Sequence, residues 1–357
     1  MESVDLDTAT LEWLLDPADP ALRAKVLTDL LDRSPVDPEV REAQRRIPEQ
    51  PFVRATLEGW TSGAVWERSP YQKYRGATWT LAHLSEMGLP ADHPVARQGV
   101  DYLLEHATRA GRIRRRAVAP LAGAQAVYWF YPIACLTARM LSVLARFGLP
   151  DHAATRGARA TVVHLHLQGR GFDCMVMDRS LLPGCVMTVP EVLKALLSVP
   201  PAERTTAEDA VIADGIEVLK EVELYRYAPA QSKAFQAASK GMKADEARAL
   251  KAAWAAEGRL AERTEKAGWL RFSFPHSYNS DLLEVLGVLA LAGVERDPVV
   301  ERGLELLLGK RTRNGRWKQV GGLNGAMWAD RGVKGEEDPW ITYRALAVLK
   351  GFGAFRG

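Results

Sequence analysis

An internal repeat, Leu-x-x-Leu-x-x-x-Gly, constrains the fold of this chain more than any other feature of the sequence. Four copies match in full and end at Gly88, Gly148, Gly293 and Gly353. Two weaker copies lack the final Gly: Leu27, Leu30 and Ser34, and Leu193, Leu196 and Pro200. The copies recur about every 55 residues, with one longer interval between positions 193 and 286. A period of this length is typical of proteins built from repeated structural units.

Each copy has helical rather than alternating apolar spacing, as in Leu282, Leu283, Leu286 and Leu289. The Gly that follows is a helix stop, because Gly adopts the left-handed conformation at little cost. A second helix is predicted in four of the copies, over 94–106, 153–167, 206–224 and 298–308. Strand signals are nearly absent, so the sequence predicts an all-α fold of helix pairs that must pack against one another.

The long interval between two copies contains an insertion at about residues 228–266. Its segment 233–266 is rich in Ala, Lys, Glu and Arg and has one apolar strip at Leu250, Trp254 and Leu260. This pattern predicts a surface helix or lid. Residues 1–69 are predicted to form an N-terminal helical segment of the same single domain, 1–357.

Composition narrows the protein class. The chain of 357 residues has 47 basic and 44 acidic side chains, and this near-balance argues against a nucleic-acid partner. Three Cys leave an unpaired thiol in any disulfide scheme, so a reducing, cytoplasmic location is expected. The sequence contains no uninterrupted run of about 18 apolar residues, so no transmembrane helix is predicted. The oligomeric state is not indicated by the sequence.

A Gly-plus-aromatic signature follows the second helix in two copies, at 169–172 and 314–317, and the segment 340–346 opens the last Leu-pair helix. Over about residues 70–355 this combination resembles the prenyltransferase and squalene-cyclase repeat of the terpenoid cyclase and protein prenyltransferase superfamily. The resemblance implies an α/α-toroid (barrel) of about six helical hairpins with inner and outer helix rings. It also implies an enzyme that acts on an isoprenoid or other extended apolar substrate.

In such a toroid the Leu-pair helices form the inner ring, and their N-terminal ends face a central cavity. The candidate substrate-binding residues near these ends are Trp79, Trp129, Tyr131, Cys135, Phe274, Tyr278, Trp340 and Tyr343. Aromatic rings of this kind can stabilise a cationic intermediate. They can equally plug the centre of the toroid as core.

The acid of a squalene-type cyclase is not evident, because the chain contains neither D-x-D-D nor D-D-x-x-D. Squalene-type cyclisation is therefore disfavoured. Asp281, just before an inner helix, is a candidate general acid, since an apolar cavity raises the pKa of a carboxyl group. Asp281 with Glu284 also fits a capping box, so a purely structural role is the alternative.

A zinc site is a second candidate. Cys185 and His276 are similar to the Cys and His ligands of the protein prenyltransferase metal site, where zinc activates a thiolate, and both are therefore also candidate catalytic residues. Pro183 occupies the position of the carboxylate ligand, however, and a zinc site needs at least three ligands. Asp173, Cys174 or Asp178 would have to supply the third. The alternative is a buried Cys and a structural His.

A basic run, Arg109 to Arg116, could clamp a diphosphate, as basic residues do in the superfamily, or could form a solvated or partner-binding loop. Two functions from different classes therefore remain open. The first is a terpene cyclase- or prenyltransferase-like enzyme without the D-x-D-D acid. The second is a non-catalytic helical-repeat protein that binds a hydrophobic ligand or a protein partner.

Overall fold

The fold, taken from a computed structural model, is mostly helical. The structure describes residues 4–68, 72–109, 127–129, 133–166, 172, 187–227, 234–235, 237–259, 264–276 and 280–356. Its α-helices are α1 Thr8–Leu14, α2 Pro20–Lys25, α3 Pro38–Arg46, α4 Pro51–Thr61, α5 Ala77–Glu86, α6 Pro94–Glu105, α7 Ala134–Arg146, α8 Ala153–Leu165, α9 Thr188–Leu197, α10 Thr206–Glu221, α11 Ala244–Ala256, α12 Leu282–Leu291, α13 Pro298–Leu308 and α14 Pro339–Gly351. Shorter turns are π-helical at Val26–Leu30 and 3-10 at Ile47–Glu49, Pro201–Glu203 and Ala267–Leu270. Two-residue strands are β1 Val4–Asp5, β2 Thr108–Arg109, β3 Val127–Tyr128, β4 Arg226–Tyr227, β5 Thr264–Glu265 and β6 Phe355–Arg356.

The helix pairs predicted from the repeat are confirmed. The four predicted second helices correspond to α6, α8, α10 and α13, and each begins at the predicted residue. The four repeat glycines, Gly88, Gly148, Gly293 and Gly353, all have φ between 65° and 89°. In these four repeats the first helix therefore ends at a left-handed Gly, as expected.

The first helices of successive repeats pack against one another in chain order. Helix α5 contacts α7, α7 contacts α9, α9 contacts α12, and α12 contacts α14. Helix α14 in turn contacts α1, α2 and the π-helical turn that follows α2. The two ends of the chain also meet, because β1 pairs in parallel with β6. The last repeat is thus packed against the first segment of the chain.

Close packing between the two helices of a pair depends on a glycine in the second helix. A Cβ on Gly99 would lie 2.2 Å from Cδ2 of Leu81, and one on Gly303 would lie 3.1 Å from Cδ2 of Leu286. In a third pair, a Cβ on Gly215 would lie 2.7 Å from Cδ2 of Leu193. In each case the leucine is the first of the repeat's Leu pair. The sequence analysis did not identify these glycines.

The insertion leaves the body of the protein through the antiparallel pair β4 and β5. Its helix α11 was predicted from the sequence. Trp254 packs edge-on against Phe235 and, with Leu250, forms a small apolar cluster separate from the main core. Among the described parts of the chain, no helix combines the length and the apolar character needed to span a bilayer.

Candidate functional site

A histidine held between two carboxylates lies in the segment that precedes α12. His276 is 3% exposed; its Nδ1 lies 2.8 Å from Oε2 of Glu284, and its Nε2 lies 3.1 Å from Oδ2 of Asp281. Burial and the nearby Arg344 disfavour the charged imidazole, but the two carboxylates outweigh them and raise the pKa of His276 to about 9. At neutral pH the ring therefore carries a positive charge and donates from both nitrogens.

Asp281 connects this histidine to the N-terminus of α12. Its Oδ1 accepts from the backbone N–H of Glu284 at 2.8 Å, which makes Asp281 the N-cap. Its Oδ2 accepts from His276 and also from the backbone N–H of Ser273 at 3.3 Å. The N-cap role of Asp281 is therefore present, but the reciprocal half of the expected capping box is not, because the oxygens of Glu284 bond to Lys194 and His276. The general-acid role of Asp281 stays a prediction.

Glu284 extends the cluster to other helices. Its Oε1 accepts from Nζ of Lys194 on α9 at 2.8 Å, and Lys194 lies 3.6 Å from Glu191 on the same helix. Glu191 also forms an ion pair with Arg139 on α7. Side chains of α7, α9 and α12 are thereby joined in one buried chain of alternating charge. Buried ions are tolerated when paired and hydrogen-bonded in this way.

The charges in this chain stabilise each other's ionised forms. Burial favours the neutral form of Glu284, but His276 and Lys194 more than compensate and hold its pKa well below the usual value. Burial likewise disfavours charged Lys194, yet Glu191 and Glu284 raise its pKa. Both side chains are therefore ionised at neutral pH.

Three predicted substrate-binding aromatics have polar partners within the core. Trp79 lies under the guanidinium of Arg139, 4.6 Å from its ring centroid. Nε1 of Trp129 donates to the carbonyl oxygen of Leu103 at 2.8 Å, and the hydroxyl of Tyr343 donates to Asp29. All three aromatic side chains are buried.

Two further predicted aromatics stack face to face. The rings of Phe274 and Trp340 are 4.2 Å apart with planes 9° from parallel. The guanidinium of Arg331 lies 5.0 Å from the first ring centroid and 5.4 Å from the second, and it pairs with Asp338. Both rings are packed and are covered by Arg331. Cys135 is partly buried and packs against the main core.

The remaining predicted site residues lie outside the described residues. These are Tyr131, Cys185 and Tyr278, together with the alternative zinc ligands Asp173, Cys174 and Asp178 and the arginines at 112 and 114–116. The predicted approach of Cys185 to His276 therefore stays a prediction. In the described part of the chain, no group of three His, Cys, Asp or Glu side chains is arranged to hold a metal. Both ring nitrogens of His276 are already bonded to carboxylates, which gives a zinc site no support there.

A cavity of about 390 Å³ lies beside this charged chain. Its lining residues are Glu86, Lys194, Leu283, Glu284, Gly287, Val288, Ala290, Leu291, Tyr343, Arg344, Ala347, Val348 and Gly351. On α12 and α14 they recur at helical spacing, so the cavity follows facing sides of these two helices. It also reaches Glu86, the last residue of α5.

The cavity differs from the predicted one in position and in chemistry. The predicted substrate-binding residues stand near the N-terminal ends of the first helices, whereas this cavity extends to the C-terminal ends of α5, α12 and α14. Tyr343 is the one predicted residue in its described lining. The sequence analysis missed Lys194, Glu284 and Arg344 as cavity residues. A signal for them exists, because each is a charge within an otherwise apolar helix of the repeat.

No known protein family, curated protein or solved structure was found to match this chain.

Proposed function

We propose that the chain is an α/α-toroid related to the terpenoid cyclases and prenyltransferases, with the Leu-pair helices as its inner ring. The contact order α5, α7, α9, α12, α14 supports a ring. Its closure is supported by the contacts of α14 with α1 and α2, and by the pairing of β1 with β6.

The function that the geometry supports best is an enzyme that acts on an isoprenoid or another extended apolar substrate in the cavity beside α12 and α14. One observation carries this proposal: an apolar cavity has a buried, ionised carboxylate in its wall. Leu283, Val288 and Val348 supply apolar surface, and Glu284 supplies the carboxylate. Such a carboxylate can stabilise positive charge that develops on a bound substrate.

In this proposal the three residues of the His cluster have different roles. Glu284 lies in the cavity wall and contributes negative charge there, while its two oxygens stay bonded to His276 and Lys194. His276 fixes the orientation of Glu284 through Nδ1, and Asp281 fixes His276 through Nε2. His276 and Asp281 are thus positioning residues in this proposal. The general-acid role predicted for Asp281 would have to be exerted through His276.

The alternative is a non-catalytic protein that holds a hydrophobic ligand. One observation favours it: His276 and Asp281 are buried and bonded to each other, as expected of groups that stabilise the fold. The charged chain would then serve only to join the helices.

Product analysis separates the two functions. The purified protein is incubated with farnesyl diphosphate, farnesol and squalene, and the extracts are examined by mass spectrometry. The enzyme proposal predicts a new product that Glu284→Gln reduces by roughly 10²-fold or more. Recovery of unchanged compounds, bound by the protein, would favour the alternative.

A further inference from the structure

Arg344 on α14 is a half-buried positive charge in the cavity wall that forms no ion pair with any described residue. We propose that Arg344 binds a carboxylate of the ligand, so that the cavity takes an organic acid with one negative charge and a nonpolar body. This inference rests on the proposed use of the cavity and names the class of molecule that it takes.

The repeat places Arg344 in a series of side chains that contact one another. Arg344 stands two residues before Leu346, the first Leu of its repeat. The residues at the same position in the four preceding first helices are Trp79, Arg139, Glu191 and Glu284. Arg139 lies over the ring of Trp79 and pairs with Glu191. Lys194 then joins Glu191 to Glu284. Arg344 continues this series on α14, but without a charged partner of its own.

The carboxylates of the His cluster already have cations bonded to them. Glu284 accepts from His276 and from Lys194, and Asp281 accepts from His276. Neither carboxylate forms an ion pair with Arg344. These two acids therefore leave the guanidinium available to a ligand.

Glu86 is the other carboxylate in the described lining of the cavity. Three cations lie near it: Lys25, Arg139 and Lys194. The charge of Glu86 is thus balanced without Arg344. Of the two cations in the described lining, Lys194 is paired with Glu284 and Arg344 is not paired.

The guanidinium of Arg344 has one edge without a partner. Its Nη1 donates to the carbonyl oxygen of Ser273 at 3.2 Å, and its central carbon lies 5.9 Å from the ring centroid of Phe274. Nε and Nη2, the two nitrogens of the opposite edge, have no hydrogen-bond partner among the described residues. Two parallel N–H groups on one edge fit the two oxygens of a carboxylate. The contacts with Ser273 and Phe274 orient this edge before a ligand binds.

The remainder of the cavity favours a single negative charge. A phosphate group carries a charge of about −1.5 to −2 at neutral pH, and Glu284 and Glu86 in the same lining would repel the additional charge. The lining also includes the nonpolar side chains of Leu283, Val288 and Val348. A monocarboxylate with a hydrocarbon body is compatible with both features.

Calorimetric titration with three probes that share one hydrocarbon chain tests the proposal: farnesol, farnesoate and farnesyl phosphate. We expect the wild-type protein to bind farnesoate at least about tenfold more tightly than farnesol, and more tightly than farnesyl phosphate. Arg344→Gln should weaken farnesoate by roughly 10- to 100-fold and leave farnesol unchanged. Arg344→Lys should recover only part of this loss, because it keeps the charge but not the two parallel N–H groups. Arg97→Gln, at an exposed position of α6, is the matched control and should change neither affinity.

The three probes also separate this inference from the proposed function. If farnesol binds the wild-type protein as tightly as farnesoate does, the cavity is a binding site but the carboxylate proposal is overturned. Tighter binding of farnesyl phosphate than of farnesoate would overturn the single charge. If none of the probes binds, the proposed use of the cavity fails as well. The comparison in the wild-type protein decides the matter even if a variant does not fold.

Discussion

At the scale of single residues, His276 gives the protein a pH dependence with a definite sign. Its pKa rises from an ordinary value of 6.5 to about 9 in the folded protein. The stabilisation is therefore fully present below pH 6.5 and is lost as the pH rises through 9.

We predict that the free energy of unfolding falls between pH 6.5 and pH 9.5, on the order of 3 kcal/mol in total from this group. Urea unfolding at a series of pH values measures the slope. His276→Gln should remove most of it, although the variant will be less stable at neutral pH because Asp281 and Glu284 lose their shared cation. An unchanged slope in this variant would assign the pH dependence to other groups.

Asp281→Asn is a second prediction at the residue scale. The sequence predicts a structural cost of at most about 1 kcal/mol, because Asn also caps a helix. The structure adds a buried ion pair with His276, and loss of one partner from such a pair costs about 3 kcal/mol or more. The sequence did not reveal this pair, since the spacing of His276 and Asp281 alone does not fix their side chains.

Asp297→Asn provides the matched control. Asp297 caps α13 through the backbone N–H groups of Val299 and Val300, and its one ion pair among the described residues, with Lys220, is partly exposed and therefore contributes little. We expect this substitution to cost about 1 kcal/mol or less. Equal thermal unfolding shifts for Asp281→Asn and Asp297→Asn would mean that the bond to His276 contributes nothing to stability.

At the scale of helices, the structure assigns opposite roles to two glycines. Gly303 on α13 lets Leu286 and Leu224 approach its backbone, and a Cβ there would lie 2.7 Å from Cδ1 of Leu224. Gly287 on α12 faces the cavity, and the nearest atom to a Cβ there would be Cγ2 of Val348 at 3.7 Å. We predict that Gly303→Ala destabilises the protein by about 1–3 kcal/mol through overpacking. Gly287→Ala should stabilise it by about 0.5–1 kcal/mol, because Ala restricts the unfolded chain and favours helix.

Chemical denaturation of the two variants checks both signs. A loss of stability in both would indicate that the space beside Gly287 is filled. A gain in both would indicate that α13 can move away from Leu286 without penalty.

Helix positions were predictable from the sequence because the repeat carries local signals. Apolar spacing and a C-terminal Gly gave the first helix of each pair, and starts such as Asp297-Pro298 gave the second. The close approach of Gly303 to Leu286 was not predictable in the same way, since it depends on how two helices pack. A Gly inside an amphipathic helix, however, was a signal that the sequence offered.

At the scale of the whole molecule, contacts between repeats that are distant in sequence determine which side chains meet in the candidate site. Lys194 and Glu284 are 90 residues apart and bond across α9 and α12. No local pattern predicts such a pair, and for this reason the sequence analysis found His276 and Asp281 but not Lys194. The repeat nevertheless predicted that α9 and α12 belong to the same set of helices, which is what allows the pair to form.

The central claim is that a ligand occupies the cavity beside α12 and α14, and the most direct test is to fill that cavity from Gly287. Farnesol binding is measured by titration for the wild-type protein, Gly287→Ala and Gly287→Leu. The account predicts that the wild-type protein and Gly287→Ala bind with similar affinity, because one methyl group leaves most of the roughly 390 Å³ open. It predicts that Gly287→Leu, which should still fold, loses binding by at least about tenfold, since its side chain takes the place of the ligand. Equal affinity of Gly287→Leu and the wild-type protein would contradict the account, as would a wild-type protein that does not bind farnesol.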